Sequence, residues 1–157
     1  MSGEKRLLSL LRAIADYQFG GGVGGRLFPE DCTIELSKHT KRPRHIFLRG
    51  VLLATVRPDG MLALTLEGAR RLSQIVERPR FRVTVHPRAA ERIREGRDLR
   101  CRDVYSVDGR LLPGEEVLVE DLDGNLLAVG KAVLAASTML SLSRGTAVRV
   151  RKTVGKE

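Results

Sequence analysis

The sequence predicts an α+β protein made of two small domains. Three observations predict it: apolar residues recur at helical spacing in three segments, short apolar or alternating runs separated by turn chemistry fill the rest, and Glu77-Arg78-Pro79-Arg80 breaks the pattern before a new strand and helix begin. With 157 residues and 42% hydrophobic content the chain can fill one core or two small ones, and it is too short for a large catalytic barrel. We therefore expect a helix plus antiparallel-sheet domain over residues 1–78 and a mixed-sheet domain over 79–157.

In the first domain, Leu7, Leu10, Leu11 and Ile14 lie three and four residues apart among Lys5, Arg6, Ser9 and Arg12, which predicts an amphipathic helix ending near Tyr17. The glycine-rich run Gly20 to Gly25 cannot continue it. Cys32 to Leu36 and His45 to Leu48 read as strands around a polar, basic tip. Val51 to Val56 and Met61 to Leu66 form a second hairpin, since Pro58-Asp59-Gly60 supplies the preset φ and the left-handed position of a turn. Thr65 is placed to cap a helix with Leu66, Ala69, Leu72 and Ile75 or Val76 on one face.

The second domain starts with a half-buried strand, Phe81, Val83 and Val85 inward and Arg82, Thr84 and His86 outward. Pro87 suits the first turn of a helix that turns Ala89, Ala90 and Ile93 inward and closes at Gly96. Short strands follow around the turns at Asp108-Gly109, Leu112 to Glu115 and Asp121 to Asn125. In the last strand Val148 and Val150 alternate with Arg149 and Arg151, which predicts guanidinium groups facing solvent.

The chain carries 28 Lys and Arg against 19 Asp and Glu, a net charge of +9, and 22 of the 28 are arginine. Such a surface favours a polyanionic partner, and the guanidinium fork, which grips phosphate bidentately and stacks on bases, points to nucleic acid. The excess is shared: 13 basic against 8 acidic residues up to Pro79, and 15 against 11 after it. Lys38, Lys41, Arg42 and Arg44 form a secondary basic patch in a stretch without an acid. No apolar run approaches the roughly 20 residues a membrane span needs, so we expect no membrane partner and a cytoplasmic location.

Chemistry finds little footing. Gly20-x-Gly22-x-x-Gly25 has the letters of a dinucleotide fingerprint but follows a helix where that motif needs a strand. The segment Gly124 to Lys131 departs from a phosphate loop by one residue between its glycines and by Ala132 where a hydroxyl belongs. His39, His45 and His86 lack zinc spacing, and Cys32 and Cys101 have no second cysteine near either. We expect no metal, no cofactor and no catalytic residue.

The basic surface remains. Arg88, Arg92, Arg94, Arg97, Arg100 and Arg102 cluster around the helix from Pro87 and the Gly96 loop, where a glycine lets backbone approach a phosphate. Glu91, Glu95, Asp98 and Asp103 are the acids that would otherwise tie these arginines into an ion network. At 4% aromatic content a stacking platform is excluded, so recognition leans on shape and phosphate, with Tyr105 and Phe19 as the exposed candidates for one stacked base.

These residues also carry a resemblance. Val85-His86-Pro87-x-Ala89, Ile93-Arg94-Glu95-Gly96-Arg97, Leu112 to Val117, Ala128 to Ala132, Met139 and Arg144-Gly145-x-Ala147 to Arg151 resemble the PUA domain, a small pseudo-barrel RNA-binding module. Ala15 to Gly20, Arg49-Gly50 to Arg57-Pro58-Asp59-Gly60 and Leu66 to Leu72 resemble what precedes that domain in archaeal tRNA-guanine transglycosylases. The resemblance implies a PUA-type mixed-sheet pseudo-barrel and a non-catalytic RNA binder without the enzyme's barrel, directed at tRNA and its acceptor-stem end, or an accessory subunit for a separate tRNA-modification enzyme. It further implies RNA contacts from Arg94, Gly96, Arg97 and Arg100, with Lys131, Arg149 and Arg151 beside them, and the arginine cluster adds Arg88 and Arg92 to the expected contacts. Ala135 to Thr138 departs from a loop that is more polar or glycine-containing in such domains.

Overall fold

The computed structural model describes residues 3–155. Two compact units are present, the first ending at Val76 and the second beginning at Glu77.

In the first unit, helices α1 (Gly3–Phe19) and α2 (Val23–Leu27) precede strands β1 (Cys32–Leu36), β2 (Pro43–Leu48), β3 (Val51–Val56) and β4 (Leu62–Leu64), and helix α3 (Leu66–Ile75) follows. The strands pair antiparallel in chain order, as two successive hairpins require. The core is aliphatic, with Leu11, Leu27, Phe28, Ile46, Leu53, Leu62 and Leu72 fully buried.

Helix α1 runs two residues past the expected end, and its buried face is Leu8, Leu11, Ala15 and Phe19. The face expected from Leu7, Leu10 and Ile14 is thus rotated: Leu10 remains 48% exposed, and Tyr17, on the same outer stripe, 83%. Gln18 fixes the rotation by donating to the Leu62 carbonyl at 2.9 Å and accepting from its amide at 2.8 Å, which docks the helix on β4. Phe19, expected exposed, is therefore core.

Helix α2 was not expected after the glycine run. Gly22, with φ 87°, turns the chain back, and Gly24 packs so tightly on the Arg12 carbonyl that a side chain there would collide with backbone. Asp16 accepts from the Gly24 amide at 2.6 Å, satisfying a helix-start donor. At α3 Thr65 caps as its position predicts, accepting from the Gly68 amide at 3.1 Å.

The second unit contains β5 (Arg82–Val85), α4 (Pro87–Arg94), β6 (Leu99–Arg100), a 3-10 turn (Cys101–Asp103), β7 (Val104–Val107), β8 (Glu116–Glu120), β9 (Leu126–Ala132), α5 (Ala136–Ser141) and β10 (Thr146–Thr153). The strand order is β6-β10-β9-β8-β5-β7, antiparallel except for the parallel pair β5 and β8. Strands β6 and β7 are neighbours in sequence yet lie at opposite ends of this order, so the single turn between them draws the sheet into a nearly closed pseudo-barrel. Helix α5 occupies the segment read as a loop from Ala135 to Thr138, and it buries Ala136 and Met139.

Alternation fails on β5. Arg82 is 4% exposed, paired with the buried Glu120 of the neighbouring strand β8. Buried acids hold the basic residues that cross the start of this unit. Glu120 takes Arg78 at 2.5 Å and Arg82 at 3.5 Å, and Asp108 takes Arg80 at 2.6 Å together with the Phe81 amide at 2.9 Å.

Candidate nucleic-acid interface

Helix α4 starts on Pro87, needs no side-chain cap, and ends at Glu95 and Gly96, whose φ of 91° reverses the chain. Nothing lies within 4 Å of the position a Gly96 side chain would take, so its backbone stands open to a ligand. The reversal leads into β6, which pairs Arg100 with Thr146 of β10. The Cys101 amide donates to the Gly145 carbonyl at 2.9 Å, joining the 3-10 turn to the Ser143-Arg144-Gly145 corner.

These elements enclose three open depressions of about 380, 400 and 420 Å³. One lies between Arg100, Arg102, Arg144 and Thr146, the next between Arg92, Gly96, Arg97 and Arg100, and the third between Arg88, Arg92 and Arg102. Because they share Arg92, Arg100, Arg102 and Thr146, they form one continuous cationic surface.

The acids that the sequence offered as partners divide: Asp103 and Glu91 pair with arginines of the cluster, whereas Asp98 is used elsewhere. Asp98 accepts the Val150 amide at 2.9 Å, so it braces the sheet edge. Asp103 is buried and takes Arg88 at 3.0 Å and Arg92 at 3.8 Å. Among the described residues Arg97, Arg100, Arg102 and Arg144 are exposed and have no ion-pair partner. Such a set repels itself and favours an anion that can be shared between its members.

The other expected contacts are placed differently. Arg94 has a side chain only 18% exposed, reaches Glu91 at 4.0 Å, and lies outside the three depressions. Arg151 does not face open solvent as alternation predicted, because it forms an ion pair with the fully buried Glu116. Lys131 and Arg149 stand directly opposite on β9 and β10, both exposed, as a second cationic spot outside the depressions. In the first unit Lys38, Lys41, Arg42 and Arg44 are all exposed around the β1–β2 turn. Tyr105 is 57% exposed and meets His86 edge to face, with ring centroids 5.3 Å apart.

Arg144 is the contact that sequence reasoning missed as a site residue. It lies 42 positions beyond Arg102, and the pairing of β6 with β10 and the Cys101–Gly145 hydrogen bond bring the two together. The thiols are not poised for chemistry. Burial, aided by Asp31, pushes Cys32 up to about 11, and burial likewise raises Cys101. Among the described residues no three of His, Cys, Asp and Glu are grouped to hold a metal ion, and no helix is long and apolar enough to cross a membrane.

A rolled mixed sheet whose first helix and last strand frame an arginine surface, preceded by a helix-and-hairpin domain, defines a PUA-type protein. Residues 81–154 match the PUA domain and residues 9–79 match the patch-forming domain C2 of tRNA-guanine transglycosylase, so the chain carries both. It is 40% identical over 146 residues to the tRNA-guanine(15) transglycosylase of Methanothermobacter thermautotrophicus, covering 92% of this chain and 22% of that one. With the Thermococcus kodakarensis enzyme it shares 39% over 155 residues, covering 98% of this chain and 26% of the relative. The chain thus spans about a quarter of the length of these relatives. Its fold matches a hypothetical protein from Pyrococcus horikoshii with a TM-score of 0.76 at 21% identity, covering 100% of this chain and 94% of that one. A conserved PUA-domain protein from Thermoplasma acidophilum superposes with a TM-score of 0.66 at 22% identity, over 99% of this chain and 93% of that one.

Proposed function

We propose that this protein is a non-catalytic RNA-binding protein that recognises tRNA at its acceptor-stem end through the PUA-type unit, in the cytoplasm. The observation that carries the reading is the continuous cationic surface from Arg92 to Arg144, in which Arg97, Arg100, Arg102 and Arg144 have no ion-pair partner among the described residues and Asp98 braces the sheet edge. Four exposed guanidinium groups around an open Gly96 backbone suit phosphates on the shoulder of an RNA helix better than a flat duplex. The relatives supply the RNA class, since they act on tRNA. The contacts proposed are Arg88, Arg92, Gly96, Arg97, Arg100, Arg102 and Arg144, with Lys131 and Arg149 on the flank. Arg94 and Arg151, each held by an acid, are not among the contacts proposed.

The test is a fluorescence-anisotropy titration of total tRNA, the same tRNA with its 3′ end trimmed, and a duplex DNA of equal charge, each at two salt concentrations. Tightest binding to intact tRNA supports acceptor-end recognition. Equal, salt-sensitive binding to all three overturns it. A second reading, an accessory subunit that brings RNA to a separate tRNA-modification enzyme, is favoured by one observation, the exposed apolar stripe on α1.

A further inference from the structure

Helix α1 carries two apolar stripes and buries only one. Leu8, Leu11, Ala15 and Phe19 face the core. Leu7, Leu10, Ile14 and Tyr17 follow one another at three, four and three residues along the flank, and Leu10 and Tyr17 are left exposed. The flank opens into a groove of about 760 Å³ that lies wholly within the first unit. Leu10 and Ile14 form one wall, Pro43 of β2 and Val56 of β3 form the other, and Arg42 and Arg44 stand at its mouth.

We infer that this groove seats an acidic amphipathic helix of a partner protein, which rests on and deepens the accessory-subunit reading. The stripe offers aliphatic side chains at the spacing by which one helix packs into another, which is how a helix-in-groove site takes its anchors. Charge complementarity selects the sign of the ligand. Lys38, Lys41, Arg42 and Arg44 are exposed and, among the described residues, form no ion pair, whereas Arg57 across the groove is neutralised by Asp59. An RNA strand would satisfy the cations but bring nothing to cover Leu10, Ile14 and Val56, since a phosphodiester backbone is hydrated and the aliphatic walls give a base no stacking face. A second copy of this chain would set one basic groove against another, and the first unit is itself in basic excess.

The test uses the full chain, isotopically labelled, and a labelled helical peptide of about 18 residues with leucines on one stripe and glutamates elsewhere. Two control peptides are needed, one of the same composition with its leucines spread around the helix and one with lysine for glutamate. We expect the striped acidic peptide to shift amides of α1, β2 and β3, and both controls to bind about tenfold more weakly or worse. Leu10→Glu and the milder Leu10→Ser should each weaken it, as should Arg44→Glu, with the thermal transition recorded for each. The Arg97/Arg100/Arg144 alanine variant should leave peptide affinity unchanged while losing tRNA, which separates failure of this site from failure of the RNA reading. The inference is overturned if the striped peptide does not bind, or if the spread peptide binds equally. It is overturned as well if oligouridylate shifts the same amides and displaces the peptide, or if the chain dimerises through Leu10.

Discussion

Replacing Arg97, Arg100 and Arg144 together with alanine removes three exposed guanidinium groups that have no acid partner among the described residues. Each phosphate neutralised contributes about 0.7 to 0.9 to the slope of log affinity against log salt, so the slope should fall by about 2 to 3. At about 0.1 M salt one such contact is worth close to eightfold, and three together approach a few hundredfold, about 3 to 4 kcal/mol. Stability should change little: no hydrogen bond from these side chains is broken, and surface substitutions of this kind stay within about 0.5 kcal/mol. The assay is anisotropy with labelled tRNA at four or more salt concentrations, alongside thermal unfolding of the free protein. An affinity and a slope both unchanged from the parent would remove this surface from the account. A reduced affinity at unchanged slope would mean that the arginines act on RNA shape through something other than phosphate neutralisation.

Arg151→Ala should behave in the opposite way, destabilising the second unit by about 3 to 5 kcal/mol because it breaks the ion pair with the buried Glu116 carboxylate, with the Glu116→Gln double variant recovering part of the loss in a denaturant titration. Asp108 sets an acid limit. Burial pushes its carboxyl up, but the amides of Arg110 and Phe81 and the Arg80 guanidinium together outweigh this and hold it below the usual range. Its contribution is therefore present above the unfolded-state value and lost as pH falls through the folded one, so acid unfolding of Asp108→Asn should lose part of the parent's pH dependence there. Gly24→Ala should lower the stability of the first unit by about 1 to 3 kcal/mol, since a methyl group there meets the Arg12 backbone; an unmoved thermal transition would mean that α2 is not held against α1 as described.

What the sequence made legible was mostly local. The Thr65 cap, the turn at Pro58-Asp59-Gly60 and the Pro87 start of α4 are each decided by a few adjacent residues, and each forms where those residues place it. The face of α1 was not legible, because Leu7, Leu8, Leu10 and Leu11 satisfy two helical stripes at once, and distant contacts choose between them: Gln18 with Leu62, Asp16 with Gly24 and Arg12 with Phe28. Helix α2 was hidden because glycines that break a helix in isolation can also let one pack against a backbone. For the arginines, position in the chain did not reveal which would be committed to the fold. Arg151 and Arg149 look alike in an alternating strand, but one meets Glu116 and the other meets no acid among the described residues, a difference settled by sheet packing. Arg144 was invisible for the same reason, its neighbours being contributed by residues far upstream.

The order of strands in the second unit sets a schedule for its assembly. Strand β10 follows the other described strands in the chain, yet it lies between β6 and β9, and it supplies Thr146 opposite Arg100. Before it emerges from the ribosome, β6 has no strand to pair with, Cys101 has no Gly145 carbonyl to donate to, and Arg102 and Arg144 are not yet neighbours. The first unit, complete by Val76, can reach its native contacts while the rest is still being made. A nascent chain would thus present the apolar groove well before it presents the arginine surface, so the ability to hold RNA would come only to polypeptides translated through β10.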